Sequence, residues 1–544
     1  MPDAVRAGGE RVGGAGGAGR HGKKVPGRAP GPTRRRGQMS RSAQRKVTVT
    51  ARDGQKVDFL VVDGDCESRF NMKSGGMKDV YFAPDMSYVV ALYRDKLDAT
   101  SLERLERLVG PYRRNIFERE GGSSYVELYR WPERIVDHEG RTGIVVPIFD
   151  SKFFFSGGAL DGAEKMGDWF TSAKNFNRSV PPSEKGTLLG FLNVCQNLSR
   201  AVKRLHAAGL AHSDLSYKNC LVDPSTGSAC VIDIDGLVVP GIFPPDVVGT
   251  RDFIAPEVMM TLGLRREDPA KRLPCAETDL HALAVLVYNL LLHRHPLRGS
   301  KVWDFEDDEI QESMEMGEKA LFIEHPTDPT NRRKFDGSDD AFQPWIDTGR
   351  LPSSIMGRHL QELFLSAFVR NLHNPGGRPT ADDWEDALAR TRDLLVPCGN
   401  GSCVKGFHVV DGSPSRPVCP FCGTPYPHSS LVYLDLHSTR NGRDFLPERR
   451  RMTVYPDCYI YPRHASNENF PGGKPSGERK EALGYFALHN GRWFFANLRL
   501  PSVKDRDTGA SVPPGSHMPL RDGQSLVLSE RVGGRMAVVR MAYF

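Results

Sequence analysis

The sequence predicts an α+β protein of several domains, on three observations. The chain has 544 residues, which is too long for one hydrophobic core, so two to four domains are expected. Residues 46–150 contain many strand patterns and one helical pattern, whereas long helical patterns dominate residues 151–395. After residue 429 only strand and turn patterns follow, which predicts a separate all-β domain at the C-terminal end.

Five or more strands and one helix are predicted in the first of these regions. Strands are predicted over residues 46–50, 57–62, 80–82, 88–93, 126–131 and 144–149. Apolar residues recur at helical spacing over residues 100–117, which predicts the helix. In the second region, helices are predicted over residues 186–208, 279–293, 357–372 and 380–394. A charged insertion covers residues 300–350.

The segment from His212 to Asn219 carries the most informative chemistry of the chain. Phosphoryl transfer needs a carboxylate at the attacking hydroxyl and further oxygen ligands for magnesium ions on the nucleotide. Asp214, Asn219 and Asp233 supply this set, and Ala255-Pro256-Glu257 follows. The order H-x-D-L-x-x-x-N, D-x-x, A-P-E resembles the catalytic core of protein kinases over roughly residues 55–393.

This resemblance implies a two-lobed protein-kinase fold that uses ATP and magnesium. The small lobe would cover residues 46–150 and the large lobe residues 151–395. Asp214 matches the residue that positions the substrate hydroxyl and accepts its proton, and Asn219 and Asp233 match the magnesium ligands. The alternative alignment of Asp235-Gly236 places the second ligand two residues further from its strand.

The acceptor residue is not determined by the catalytic loop. Ser216 stands where serine/threonine kinases usually have lysine, and Lys218 stands where many tyrosine kinases have arginine. Either spacing places a cation near the γ-phosphate, so Lys218 is a catalytic candidate. A serine/threonine acceptor is expected on family frequency alone.

Two further matches predict structural contacts. Arg378 matches the late arginine that pairs with the A-P-E glutamate, here Glu257, as a buried clamp. Asp279 matches the aspartate at the start of the central helix, which would hold the catalytic loop through backbone N–H groups.

The lysine of the usual V-A-x-K motif is missing, because Tyr93 and Arg94 follow Val90-Ala91-Leu92. Some cation must meet the α- and β-phosphates. Lys78 follows Gly75 and Gly76, whose backbone N–H groups are candidates for phosphate contacts, and this is similar to the with-no-lysine kinases. Lys78 is therefore the expected cation, and Arg94 is the alternative.

The helical partner of this cation is expected to be a glutamate. Glu106 is preferred and Glu103 is the alternative, since both lie in the predicted helix over residues 100–117. No arginine precedes Asp214, and Thr250 is the single hydroxyl residue within residues 236–254. We therefore expect the activation loop to be ordered without phosphorylation.

Four cysteines have the two-pair spacing of a structural metal site. They are Cys398, Cys403, Cys419 and Cys422. The Cys-Pro-Phe-Cys-Gly segment resembles a zinc-ribbon knuckle, so residues 396–428 are predicted to bind zinc. His408 is a spare ligand that four thiolates make unnecessary.

Residues 429–544 resemble a forkhead-associated domain, a β-sandwich that reads phosphothreonine. The resemblance rests on Tyr461-Pro-Arg463-His464-Ala465, on the strands after Gly484, and on Asp522-Gly523 with the strand that follows. The usual serine before the arginine is replaced by Pro462. A β-sandwich that serves only in packing is the alternative.

Charge and hydropathy define the remaining expectations. The net charge of +6 comes mainly from residues 1–45, a Gly- and Arg-rich stretch predicted to be a disordered leader, or a basic arm for an acidic partner or nucleic acid. No apolar run reaches 18 residues, so a cytoplasmic protein without a membrane segment is predicted. We expect a protein substrate and no nucleic-acid partner.

The whole assembly looks like bacterial kinases with C-terminal zinc ribbons, of the tellurium-resistance-associated type. This resemblance implies a phosphatase and a von Willebrand-type protein as partners. Two alternatives to an active protein kinase stay open: a pseudokinase scaffold, which the missing lysine favours, and a small-molecule phosphotransferase, which shares the Asp–Asn–Asp set.

Overall fold

The computed structural model describes residues 44–62, 77–119, 121–245, 248–302, 306–333, 351–412, 415–468, 481–501 and 503–544. The predicted leader lies outside the described residues except for residues 44 and 45, which belong to the first strand. Gly75 and Gly76 of the predicted phosphate loop also lie outside the described residues.

The first lobe consists of antiparallel strands with one interrupted helix. Its strands are β1 Gln44–Thr50, β2 Lys56–Val62, β3 Lys78–Phe82, β4 Tyr88–Tyr93, β5 Arg134–His138 and β6 Arg141–Pro147. β1 and β2 form a hairpin, and the other four form a sheet in the order β3-β4-β6-β5. Helix α1 (Ala99–Arg107) continues through a π-helical turn containing Pro111 into α2 (Arg113–Phe117).

The strand predicted over residues 126–131 is wrong. A 3₁₀ helix, Gly122–Leu128, begins before this stretch and covers its first half. Gly121 has a φ of 73°, a left-handed conformation that glycine adopts without strain, and its carbonyl accepts from the Ser124 hydroxyl at 2.7 Å. These local bonds turn the chain before the buried Tyr129 and Trp131.

The second lobe is mainly helical. Its helices are α3 Asp168–Thr171, α4 Ala173–Arg178, α5 Leu188–Ala207, α6 Pro256–Met259, α7 Ala276–Leu292, α8 Asp308–Met316, α9 Gly357–Leu365 and α10 Ala381–Asp393. A short hairpin pairs β7 (Cys220–Asp223) with β8 (Ser228–Val231). From Ala282 to Leu292 every residue of α7 is buried, so this apolar helix forms the centre of the lobe.

The predicted clamp between Arg378 and Glu257 is confirmed. The guanidinium donates to both carboxylate oxygens, at 2.8 and 2.7 Å, and also to the carbonyl of Glu277 at 2.9 Å. The Arg378 side chain is only 2% exposed. The pair therefore ties the end of the loop over residues 249–257, here called the docking loop, to the start of α7.

The cysteine module (residues 395–428) packs directly on the second lobe. Its strands β9 (Leu395–Pro397) and β10 (Phe407–Val409) pair with each other. Between them, the buried Lys405 donates to Nε2 of His293 at 2.8 Å, at the C-terminal end of α7. The Lys405 carbonyl also accepts from the Leu188 N–H at 2.8 Å, at the start of α5.

The C-terminal β region contains two sheets around one core. Its strands are β11 Ser430–Thr439, β12 Phe445–Val454, β13 Tyr459–Ile460, β14 Gly484–His489, β15 Arg492–Asn497, β16 Val503–Asp505, β17 Ser511–Val512, β18 His517–Pro519, β19 Ser525–Val527 and β20 Arg535–Tyr543. One sheet has the order β12-β11-β20-β19-β16-β17 and the other β13-β14-β15-β18. A four-residue helix, α11 (Pro462–Ala465), is an addition to the predicted strands and turns.

A buried ion cluster joins this region to the end of α10. Asp393, whose side chain is 1% exposed, contacts Arg450 at 2.6 Å, His464 at 3.1 Å and Arg463 at 3.7 Å. Burial opposes its charge, but the positive charges of Arg450 and its other neighbours outweigh burial and hold the pKa of Asp393 well below its ordinary value. The arginine that carries the forkhead-associated resemblance is therefore engaged by a carboxylate of the same chain.

His464 is neutral within this cluster. Its Nδ1 accepts from the Tyr461 N–H at 3.0 Å, so the ring proton lies on Nε2 and is donated to Asp393. Burial and then the charge of Arg463 lower the pKa of His464 to about 3. Two arginines already face the carboxylate of Asp393, so a protonated His464 would add a third positive charge to one negative charge.

We predict that acid destabilises this junction through His464. In the unfolded chain its imidazole binds a proton below about pH 6.5, but in the folded chain only near pH 3. Stability should therefore fall between these values as the pH drops, by up to about 1.4 kcal/mol per pH unit. Denaturant unfolding between pH 7.5 and 4 measures this slope. His464→Gln should flatten it, whereas His489→Gln, at an exposed site, should not. Equal slopes in both variants would contradict the assignment.

Candidate active site

The buried carboxylate of Asp279 holds the catalytic loop, as predicted. It lies in the first turn of α7 and accepts from the backbone N–H groups of His212 at 2.7 Å and Ser213 at 3.1 Å. His206 adds a contact at 3.1 Å. Ser213 has a φ of 66°, a strained conformation for a residue with a side chain. The Asp279 contacts therefore stabilise a backbone geometry that the loop would not adopt by itself.

Asp214 is oriented from two directions. Its carboxylate accepts from the Asn219 side-chain amide at 3.0 Å, and Asn219 also donates to the Asp214 carbonyl at 2.8 Å. The other carboxylate oxygen accepts from the Thr250 N–H at 2.6 Å and from the Thr250 hydroxyl at 2.8 Å. A hydroxyl donor therefore already fits beside Asp214, as an acceptor substrate would require.

The β7–β8 hairpin brings Asn219 and Asp233 to one place. Asn219 directly precedes β7, Asp233 follows β8, and Cys220 pairs with Val231 in the register. The Ile232 N–H donates to the Asn219 carbonyl at 3.0 Å. Asp233 has a φ of 62° and its side chain is 52% exposed. An accessible carboxylate on a strained backbone, near the side-chain amide oxygen of Asn219, suits a metal ligand.

Lys78 reaches this position from the first lobe. Its Nζ lies 2.6 Å from Asp235 and 3.3 Å from Asp233. Burial by itself lowers the pKa of Lys78, but the charges of Asp235 and Asp233 outweigh burial and raise this pKa above its ordinary value. The structure therefore brings together a charged cation and the predicted metal ligand from opposite lobes.

Arg94 lies on the other face of the same sheet. Its guanidinium contacts Asp79 at 2.8 Å, and Asp79 is the neighbour of Lys78 in β3. Successive side chains of a strand point to opposite faces, so Arg94 and Lys78 are directed away from each other. The Lys218 side chain is exposed, and the backbone N–H of Lys218 donates to the Ser216 hydroxyl at 3.3 Å.

The structure does not bring Glu106 to Lys78, so this expectation is corrected. Glu106 contacts Arg52 at 2.8 Å, and Glu103 contacts Arg107 at 2.7 Å on its own helix. Both side chains are 53% exposed, because α1 turns Leu105 inward and this face away from the cleft.

Sequence reasoning missed the role of Tyr93, which stands in the place of the V-A-x-K lysine. Tyr93 and Lys78 are paired in the β3–β4 register, and Nζ lies 5.4 Å from the ring centre. The Tyr93 hydroxyl donates to the buried Asp235 carboxylate. The substitution itself was visible in the sequence, but nothing local indicated which group the hydroxyl would meet.

The charged insertion holds the docking loop. Arg298 contacts Asp252 in the loop at 2.5 Å, and Glu312 and Glu315 of α8 at 3.0 and 3.1 Å. Arg251 adds a contact to Glu312 at 2.5 Å. Thr250, which contacts Asp214, lies two residues before Asp252 along the chain. The network therefore ties the loop beside Asp214 to α8.

The four predicted metal ligands converge in the cysteine module. The sulfur atoms of Cys398, Cys403, Cys419 and Cys422 all lie within 4.8 Å of one another. None of these cysteines forms a disulfide. Four thiols at this spacing fit a tetrahedral metal ion, and they leave no open position on it.

Comparison with protein families finds a match to one domain. The protein kinase domain matches residues 183–362, which include Asp214, Asn219, Asp233 and Glu257. A protein kinase domain is therefore present in the chain. No curated protein matches the sequence.

Several solved structures from Toxoplasma gondii are similar. A specific rhoptry antigen kinase domain is 13% identical with a TM-score of 0.36, covering 64% of this chain and 86% of that chain. A rhoptry kinase is 12% identical with a TM-score of 0.37, covering 64% and 83%. ROP2, described as a virulence factor with a protein-kinase fold and no enzymatic activity, is 14% identical with a TM-score of 0.36, covering 64% and 84%.

We predict that Arg298→Met loosens the docking loop. The substitution leaves Asp252, Glu312 and Glu315 without their shared cation. Because Arg298 is partly exposed, the local stability should fall by only about 1 kcal/mol, which is roughly fivefold faster amide exchange. Hydrogen exchange of residues 249–253 measures this. The exposed Arg265→Met serves as the control. Unchanged exchange in Arg298→Met would show that the network does not hold the loop.

Proposed function

We propose that this protein is an ATP- and magnesium-dependent protein kinase whose phosphate-binding cation is Lys78. The observation that carries the proposal is the contact of Lys78 with Asp233 across the two lobes, at 3.3 Å. Asp214 and Asn219 lie at the same end of the β7–β8 hairpin. The pattern of a cation, a carboxylate base and two oxygen ligands is the one that phosphoryl transfer requires.

Each residue then has one task. Asp214 orients the acceptor hydroxyl and takes its proton. Asn219 and Asp233 would hold the magnesium ions, which neutralise the phosphate charge. Lys78, kept charged by its acidic neighbours, pairs with the α- and β-phosphates. Lys218, which is exposed in the catalytic loop, would meet the γ-phosphate. We propose a serine/threonine acceptor on the family frequency alone.

One observation favours a pseudokinase that binds partners without catalysis. Lys78 contacts both Asp233 and Asp235, so the cation and the metal ligand neutralise each other. In the kinase proposal, the nucleotide phosphates replace Asp233 as a partner of Lys78. The docking loop and the Arg378 clamp support a protein substrate over a small molecule.

We further propose that zinc fills the cysteine module, and that the C-terminal β region is a forkhead-associated-like sandwich used in packing. Arg463, the candidate phosphothreonine reader, is 10% exposed and lies against Asp393, which argues against phosphopeptide binding at this arginine. In the described residues no helix is long and apolar enough to cross a membrane. A cytoplasmic location, a phosphatase partner and a von Willebrand-type partner rest on the stated resemblance.

The proposal predicts phosphate transfer that depends on Lys78 and Asp214. With labelled ATP and magnesium, Lys78→Met should lose at least about 100-fold in rate, because a fixed charge on the phosphates is removed. Asp214→Ala should lose about 100-fold or more, because the general base is removed. Arg94→Met should transfer like the unmodified chain, since Arg94 lies on the opposite face. Nucleotide binding without any transfer by the unmodified chain would favour the pseudokinase.

The proposal also predicts about one zinc ion per chain, released by chelation or by Cys419→Ser. Loss of zinc should lower the melting temperature of the whole chain, because Lys405 of the module is buried against α7. Metal content and thermal melting measure these effects. Cys275→Ser is the matched control, because serine can keep the helix cap made by Cys275. Full stability of the zinc-free chain would contradict this coupling.

A further inference from the structure

Asp235 has the surroundings of a residue that holds another side chain in place. It is 8% exposed, contacts Lys78 at 2.6 Å and accepts from the Tyr93 hydroxyl. Burial by itself raises the pKa of Asp235, but the charge of Lys78 outweighs burial and lowers it. Burial and the charge of Asp235 raise the pKa of Tyr93, so its hydroxyl remains a donor.

Asp233 and Asp235 both contact Lys78, but they differ in exposure and in distance from its Nζ. Asp233 is 52% exposed and lies 3.3 Å from Lys78, whereas Asp235 is buried and lies 2.6 Å away. An exposed carboxylate exchanges its partner for a metal ion at little cost. A buried carboxylate that loses its cation is left with an uncompensated charge, which is strongly unfavourable. The two aspartates therefore have separable roles around one lysine.

Helix α1 offers no carboxylate to Lys78. Its buried residues are Arg104 and Leu105. Glu106 belongs to an outer network, because Arg52 contacts both Glu106 at 2.8 Å and Asp137 at 2.9 Å. A rotation of the helix that brought Glu106 inward would expose Leu105, which is 2% exposed, and would break this network.

We propose that Asp235, oriented by Tyr93, is the positioning partner of Lys78, in the place where a helix glutamate was expected. This deepens the proposed function and rests on it. Asp233 then serves the metal, and Asp235 keeps the ammonium group aimed at the phosphates. Asp235 and Tyr93 lie outside α1, so the orientation of Lys78 does not depend on where this helix stands. A movement of α1 would leave the cation in place.

The test compares Asp235→Asn and Tyr93→Phe with Asp233→Asn, Glu106→Gln and Glu103→Gln. Phosphate transfer is measured against ATP and against magnesium concentration, and MgATP affinity is measured separately. Asp235→Asn should lower kcat/KM for ATP by about 100-fold, because the cation is misplaced by about 1 Å. Its magnesium half-saturation should stay unchanged. Asp233→Asn should raise the magnesium requirement, and the two glutamine variants should transfer normally.

Three results would overturn the proposal. A loss in Glu106→Gln or Glu103→Gln equal to that in Asp235→Asn would restore the helix glutamate as the partner. A shift of the magnesium half-saturation in Asp235→Asn would make Asp235 the metal ligand. Unchanged transfer in both Asp235→Asn and Tyr93→Phe would remove any role for the pair. Should Asp235→Asn not fold, Tyr93→Phe decides, because it removes one hydroxyl only.

The two proposals fail in different ways. Binding of MgATP without transfer by the unmodified chain would overturn the proposed function alone. The affinities would then decide the partner of Lys78: weaker binding in Asp235→Asn but not in Glu106→Gln supports Asp235, and the reverse overturns it. A chain that binds no nucleotide would overturn both.

Discussion

The buried helix α7 is the constraint on which the rest of the second lobe depends. Its first turn carries Asp279, which accepts two backbone N–H groups of the catalytic loop and so fixes a strained residue, Ser213. The carbonyl of Glu277, in the same turn, accepts from Arg378, which also holds Glu257 at the end of the docking loop. One end of this apolar helix therefore holds both the loop that carries Asp214 and the segment that ends at Glu257, and its burial makes these positions difficult to shift.

The cleft between the lobes shows how a missing residue changes the role of its neighbours. Tyr93 stands in the position of the absent lysine, and its hydroxyl meets Asp235 in place of a phosphate. Lys78 enters from the adjacent strand and meets the same carboxylate. Because one strand register fixes both side chains, the cation and the tyrosine act as a unit. The helix that usually supplies the counter-charge is left to pack and to carry an outer ion network.

The parts that the sequence predicted well are those whose partners are dictated by chemistry or by short spacing. Asp214 and Asn219 lie on one loop, and Asp279 lies in the first turn of a helix with a long apolar run. The predicted contact between Glu106 and Lys78 was wrong because Arg52, a cation distant in sequence, lies on the exposed side of Glu106. The insertion had the composition of a solvated segment. Only the fold shows that Arg298 contacts both Glu312 of the insertion and Asp252 of the docking loop. A local sequence pattern does not show which charged residues, far apart in the chain, will form ion pairs.

The C-terminal regions are joined to the kinase domain by buried polar contacts, which has a mechanical consequence. Lys405 meets His293 at one end of α7, while Asp279 holds the catalytic loop at the other. Asp393, the last residue of α10, is surrounded by cations of the C-terminal β region, including Arg450. Buried charges tolerate little displacement, because separation leaves them without partners in a medium of low dielectric constant. The cysteine module therefore stabilises α7, whose first turn holds the loop that carries Asp214, and the β region stabilises the end of α10.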